Sequence, residues 1–191
     1  MKILKTNNNL PDKQIINEAI DILANGGVVL YPTDTVYGLG ANIFDNKAVR
    51  RVFKIKKRSL LKPLSILVSD VDSIGLVSKI SNNQKNILNN YLPGPYTFIL
   101  KKSDIVPRVV TSGLSHVGIR VPDNEIARNL SILFPITTTS ANLSDEEVLS
   151  SPDEILNQLG CEVDLVIDAG PITSNPSKII DLTTPKPTVI R

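Results

Sequence analysis

Val28-Val29-Leu30-Tyr31-Pro32-Thr33-Asp34-Thr35-Val36-Tyr37-Gly38-Leu39-Gly40 is the stretch on which the fold class turns. Val28 to Tyr31 is a short apolar run closed by proline, the pattern of a buried strand. Hydroxyls and a carboxylate follow, then two glycines. In an open α/β sheet, polar groups just past a strand's C-terminal end are where ligands bind. The same residues also suit a plain strand-to-loop turn, in which Thr and Asp side chains satisfy backbone groups. The stretch alone leaves both readings open.

Working outward, Asp12 to Asn25 reads as an amphipathic helix, with Ile15, Ile16, Ala19, Ile20, Ile22 and Leu23 at helical spacing. Pro11 suits its first turn, and Gly26-Gly27 stops it. Asp45 is placed to cap a second helix carrying Ala48, Val49, Val52, Phe53 and Ile55. Strands are expected at 64–68, 96–100, 117–121, 135–139, 165–167, 178–182 and 188–190, and a helix at 81–91 that ends at Pro93-Gly94-Pro95. Asp123 is expected to cap a helix bearing Ile126, Ala127, Leu130 and Leu133. Ser151, Pro152 and Glu154 form a capping box with proline at the first helical position, and Gly160 ends that helix. Several links are too short for parallel crossovers. The expectation is therefore a single domain, 1–191, of mixed α/β class, with a mixed sheet covered by helices.

Composition excludes some chemistries. One histidine, His116, rules out His-pair zinc sites, and one cysteine, Cys161, rules out an internal disulfide and a thiolate cluster. No apolar run approaches the ~20 residues of a membrane span, and no signal peptide is visible, so a cytoplasmic protein is expected. The net charge is only +2, but Arg50, Arg51, Lys54, Lys56, Lys57, Arg58 and Lys62 fall in one acid-free segment. Such a run is either a solvated helix face or a phosphate-binding element, and neither a Walker pattern nor a Rossmann fingerprint accompanies it.

Three further constellations lie at strand ends. Ser140-Ala141-Asn142 follows Thr137-Thr138-Thr139, and can be a pocket motif or a turn. Arg120 sits in the apolar run Gly118-Ile119-Arg120-Val121-Pro122 and requires an anionic partner, either a ligand carboxylate or one of the protein's own acids. Ser177 precedes the strand that reaches Asp181.

Taken together, the Pro-Thr-Asp-Thr-Val-Tyr-Gly-Leu-Gly stretch, Lys56 and Arg58 as Lys-x-Arg, Pro63-Leu64, Pro93-Gly94-Pro95, Arg120-Val121-Pro122, Ser140-Ala141-Asn142, and Ser177 with Asp181 resemble the YrdC/TsaC family of threonylcarbamoyl-adenylate synthases, from about Ile15 to Arg191. The resemblance implies a YrdC-like twisted mixed sheet around a large, positively lined cavity. It implies formation of threonylcarbamoyl-AMP and pyrophosphate from L-threonine, bicarbonate and ATP, usually with Mg²⁺ and with no metal-ligating residues assigned. A partner transferase would then modify adenosine 37 of tRNAs that read codons beginning with A; direct binding of tRNA or double-stranded RNA is left open. Matched motif by motif, Thr35, Arg120, Ser140 and Ser177 would bind threonine. Lys56, Arg58, Lys62, His116, Asn142, Ser150 and Arg191 would contact ATP, with Lys56 and Arg58 stabilising charge during adenylation. Arg50, Arg51 and Lys54 return to the solvated face, and Lys57 points away.

The chain departs from the family pattern at several positions. Ser59 follows Lys-x-Arg in place of proline, Leu92 precedes Pro-Gly-Pro in place of tryptophan, and Leu67 replaces a histidine that contacts threonine in some relatives. Asp145-Glu146-Glu147 occupies a loop that usually begins Ser-Gly, and must turn outward or help hold Mg²⁺. The chain stops at Arg191, which suggests the short family form. Two other readings compete: a non-catalytic RNA-binding module, weakened by an aromatic content of only 4%, and a carbamoyl-transfer domain, which would call for zinc-finger and acylphosphatase-like segments.

Overall fold

Tyr31 lays its ring across a strand built of glycines. In the computed structural model, which describes residues 1–8 and 10–191, β2 (Val29–Tyr31) pairs antiparallel with β3 (Gly38–Gly40), placing Tyr31 opposite Gly38. A Cβ on Gly38 would lie 2.9 Å from Tyr31 Cζ, and one on Gly40 would lie 2.8 Å from Cε1. The two glycines, not assigned to a strand from sequence, are thus strand residues whose missing side chains make room for the ring. Tyr31 is fully buried and donates a hydrogen bond to Thr138 Oγ1 at 3.0 Å; burial pushes its phenol up to about 12.

Around this pair the strands form two hydrogen-bonded sheets where one was expected. The first has the order β1-β8-β2-β3, where β1 (Lys2–Lys5) and β2 both run parallel to β8 (Leu165–Asp168). The second is built from β10 (Thr188–Val189), β9 (Lys178–Asp181), β5 (Tyr96–Lys101), β6 (His116–Arg120), β4 (Ser65–Leu67) and β7 (Ile136–Thr138), in that order. Its β4–β6 and β5–β9 pairs are parallel and the others antiparallel, so the sheet is mixed, as the short links require. A seam of backbone bonds joins the two sheets. Leu39 N donates to Thr139 O (2.9 Å), Thr137 N to Ala41 O (2.8 Å) and Ala141 N to Tyr37 O (2.8 Å). The two motif-bearing loops, after Tyr31 and after Thr138, therefore leave the sheets side by side.

Helices cover both faces. α1 (Lys13–Ala24) and α5 (Glu125–Leu130) bury Ile16, Ala19, Leu23, Ile126, Ala127 and Leu130 against Val29, Tyr31, Ile136 and Leu165. α2 (Asn46–Ile55) and α6 (Pro152–Leu159) contribute Val49, Val52, Phe53, Ile155 and Leu159 to a second core. Two short helices, α3 (Ile74–Val77) and α4 (Asn82–Tyr91), complete the set of helices among the described residues. The Ser151/Glu154 capping box, Pro152 in the first turn, and Gly160 as a left-handed C-cap (φ 60°) are all formed. Two details differ from expectation. Asp12 is the N-cap of α1, so Pro11 precedes the helix. Asn124, whose carboxamide accepts from Ala127 N at 2.9 Å, caps α5 in place of Asp123, and Leu133 lies exposed beyond its end.

Candidate active site

The loop after β2 divides its hydroxyls between two tasks. Thr33 builds the turn itself: its Oγ1 accepts from Thr35 N (3.1 Å) and Val36 N (3.2 Å) and donates to Val36 O (2.7 Å). Asp34 and Thr35 are left to face β6, where Arg120 Nη2 donates to Asp34 Oδ1 (2.5 Å) and Thr35 Oγ1 (2.6 Å). Arg120 is 6% exposed, so its charge needs this partner. Of the two anions the strand arginine could take, the protein supplies one from its own chain.

Arg120 lines a cavity of about 180 Å³ at the seam. The floor is a row of hydroxyls presented by neighbouring strands. Ser65 on β4 lies opposite Thr138 on β7, and Thr97 Oγ1 on β5 lies 2.9 Å from Ser177 Oγ. Between Ser65 and Thr97 stands Gly118, where a Cβ would come within 2.5 Å of Ser65 Oγ and 3.2 Å of Thr97 Cγ2. Arg58 and Arg191 join Arg120 in the lining, and among the described residues no acid does. The cavity is cationic but small; among the described residues the large basic cavity that was expected is not seen.

The structure brings five of the expected residues, Arg58, Arg120, Ser140, Ser177 and Arg191, to this one cavity. Thr35 reaches it through Arg120. Arg58 is half-buried; its Nε donates to Lys62 O (3.0 Å) and its Nη2 to Pro63 O (2.8 Å), which pins the 59–63 loop beside the cavity. Arg191 Nη2 donates to Ser177 O at 3.1 Å, fastening the C-terminal residue to the β9 entrance.

Lys56 is placed differently. It is 1% exposed and does not line the cavity. Its ammonium has three donors, and three acceptors meet them: Ser140 O (2.5 Å), Asn142 O (2.6 Å) and Asn142 Oδ1 (3.0 Å). Asn142 is similarly occupied, because its Oδ1 also accepts from Ser140 Oγ (2.7 Å) and its Nδ2 donates to Glu146 O (2.7 Å). Lys56 and Asn142 thus shape the Ser140–Asn142 turn from beneath. Burial, with the nearby Arg58 charge, lowers the Lys56 pKa from 10.5 to about 7.

The remaining expected residues lie outside the cavity. Lys62 is exposed and pairs with both oxygens of Asp145 (2.8 and 3.0 Å), and this bond holds the Asp145 carboxyl below its ordinary range. The acidic loop turns outward, with Asp145 at φ 69°. Ser150 Oγ lies 3.4 Å from Glu154 Oε2 at the start of α6. His116 opens β6 at the end opposite Arg120, about 13 Å away at ~3.3 Å per residue, beside Lys79 and Lys101. Arg51 pairs with Asp164 at 2.5 Å, and Lys57 is exposed. Ser65 and Thr97 went unnoticed in the sequence, and Thr138 was noted only as part of the run leading into Ser140. Ser65 and Thr97 are isolated hydroxyls in their strands, and only alternation onto the face shared with Arg120 could have suggested them.

The chain is similar to known proteins over most of its length. The chain matches the Sua5/YciO/YrdC family model, described as telomere recombination, over residues 21–191. The chain belongs to the Sua5/YciO/YrdC family. A protein of Methanocaldococcus jannaschii, provisionally named a threonylcarbamoyl-AMP synthase, is 45% identical over 84% of this chain and 76% of its own length. Escherichia coli YciO superposes with a TM-score of 0.92 at 34% identity, covering 100% of this chain and 95% of that one. Pyrococcus abyssi Sua5 complexed with L-threonine superposes with a TM-score of 0.94 at 33% identity. This chain spans only 57% of that Sua5, so the likeness concerns the domain they share. Among the described residues no helix is long and apolar enough to cross a membrane.

Proposed function

We propose that the chain is an L-threonylcarbamoyladenylate synthase, joining L-threonine, bicarbonate and ATP into threonylcarbamoyl-AMP and pyrophosphate for a partner that modifies tRNA. The observation that carries the reading is the small hydroxyl-floored cavity with arginines at its wall. At about 180 Å³ it falls below the ~300–1,000 Å³ typical of drug-sized ligands and suits a compact hydroxy amino acid. A nucleotide cannot enter it whole and must lie along the rim, where Arg58 and Arg191 meet solvent and Lys62 stands nearby.

In this reading Arg120 takes the threonine carboxylate, and the hydroxyls of Ser65, Thr97, Thr138 and Ser177 surround the rest of the molecule. The carbamate formed on the amine is already anionic and attacks the α-phosphorus without further activation. The demands on the protein are positioning and charge neutralisation as pyrophosphate departs. Among the described residues no group of three or more His, Cys, Asp or Glu could hold a metal ion. Neutralisation by the protein therefore falls to Arg58 and Arg191, and Mg²⁺ would arrive on the ATP phosphates.

Pyrophosphate release, with mass spectrometry of the adenylate, tests the proposal. Release that requires both threonine and bicarbonate is expected; release that ignores either, or none from folded protein supplied with Mg²⁺, would sink it. RNA binding that falls steeply with salt, without turnover, would favour the RNA-binding module instead. A second expectation concerns the floor. Gly118→Ala inserts a methyl group at 2.5 Å from Ser65 Oγ, which must swing aside within a cavity this small. Threonine affinity should fall about tenfold or more, read by calorimetric titration, while affinity for ATP at the rim stays within about threefold.

A further inference from the structure

Among the described residues, five of the seven arginines have a guanidinium partner within the protein. Arg51, Arg120 and Arg128 pair with acids, while Arg58 and Arg191 donate to backbone carbonyls. The guanidiniums of Arg50 and Arg108 have no such partner among the described residues, and these two line one surface cavity of about 310 Å³. Leu60, Val109, Ser112 and Gly113 complete its lining, so no acid of the described residues lies there, and none of the six lines the substrate cavity. A single exposed arginine on a helix is ordinary, and Arg50 was read that way from sequence. Two of them sharing one cavity repel each other, and the apolar walls of Leu60 and Val109 reduce the screening by water.

The turn beside Arg108 carries strain. Ser112 has φ 53° and Gly113 φ 83°, both in the left-handed region, which disfavours serine by roughly 1–2 kcal/mol. Strain of this kind gathers at ligand clamps. Gly113 N donates to Arg108 O at 3.0 Å, and a Cβ on Gly113 would lie 3.7 Å from Arg108 Nη2, so the glycine leaves that flank of the guanidinium clear. Ser112 Oγ is buried without a partner and forfeits no bond by turning toward an anion in the cavity. A phosphate group carries about −1.5 to −2 at pH 7, which balances two guanidiniums where a carboxylate would balance one. Its oxygens also suit the guanidinium fork. We infer that this cavity is a second anion site, separate from the substrate cavity, which takes free phosphate or the phosphate monoester of a small molecule.

The test is a titration of the isotope-labelled full chain, followed by its backbone amide resonances, with chloride as the control at constant ionic strength. Inorganic phosphate and glycerol phosphate are the two probes, one for each source. At least one should shift the amides of Ser112, Gly113 and Leu114 saturably, with an apparent Kd of about 1 mM, and the tighter of the two identifies the source. Arg50→Gln and Arg108→Gln should each weaken that binding about tenfold, the worth of one charge-assisted hydrogen bond. Both side chains are exposed and hold no internal bond, so both variants should fold. No saturable shift at these amides from either probe, or undiminished shifts in both variants, would overturn the assignment. Shifts produced by a short RNA but by neither probe would make the cavity a nucleic-acid contact and would also overturn it. Arg108→Gln should release pyrophosphate as wild type does; a fall of about a hundredfold would join this cavity to the nucleotide site and remove its separate role. The titration stands whether or not the chain releases pyrophosphate, so this inference and the synthase reading can fail independently.

Discussion

Lys56→Met is expected to lower folding stability by about 2–4 kcal/mol at pH 7 and to reduce turnover at least a hundredfold, although Lys56 does not line the cavity. Methionine fills much of the volume but leaves Ser140 O, Asn142 O and Asn142 Oδ1 without their donor. A buried acceptor left unpaired costs about 1–3 kcal/mol. Removal of a buried charge offsets part of that sum, which is why the expected loss falls below three such penalties. The turnover loss follows from the turn: Ser140, on the cavity wall, is held from below by this ammonium. The pH dependence supplies a separate signature. Native Lys56 loses its proton near pH 7, whereas the unfolded side chain keeps it to about 10.5. Between those values the unfolded state binds more protons, so this group makes stability rise with pH, by at most about 1.4 kcal/mol per unit. Lys56→Met lacks that rise, and its deficit against wild type should widen from pH 7 to pH 9 in urea denaturation. A deficit that stays constant or narrows would contradict the lowered pKa.

Arg58→Ala should act in the opposite sense, sparing the fold and abolishing the chemistry. Arg58 is half-buried, and its two internal bonds hold an exposed loop, so a loss of about 1–2 kcal/mol is expected. Its guanidinium also faces the cavity rim, where phosphate charge would develop. Removing one preorganised donor from developing charge commonly costs 10²–10³ in kcat, and a fall of about that size in pyrophosphate release is expected. Arg58→Lys should recover little, because an ammonium cannot bond the carbonyls of Lys62 and Pro63 in a fixed plane and still face phosphate. Threonine affinity should remain within about threefold, since Arg120 binds separately. Unchanged release in Arg58→Ala would remove this residue from the reaction.

The framework was legible in sequence wherever local chemistry decides the outcome. The capping box at Ser151, the Asp45 cap and the apolar periodicity of α1 and α2 are local signals, and each element formed as expected. Gly38 and Gly40 were not recognised as strand residues because their reason lies on another strand, in the ring of Tyr31. β1, with the mostly exposed Lys2-Ile3-Leu4-Lys5, was not foreseen, since its pairing with β8 is a long-range event with little local pattern. The site divides in the same way. The motifs singled out Arg58, Arg120, Ser140 and Ser177, but the depth of a side chain is not written in a motif. Lys56 and Asn142, spelled like ligand contacts, form an internal brace. His116 shares a strand with Arg120 yet stands at its far end.

The seam between the sheets has a consequence for the order in which the molecule is made. Leu39 and Thr139, bonded across it, are roughly a hundred residues apart in the chain. Contacts across so long a loop form late, after the local hairpins and helices that make closure less costly in entropy. On the ribosome, the segment carrying Asp34 is complete long before the one carrying Ser140 emerges. The nascent domain therefore holds half of a pocket, with Tyr31 still waiting for Thr138, and the two halves meet only when synthesis is well past the middle of the chain.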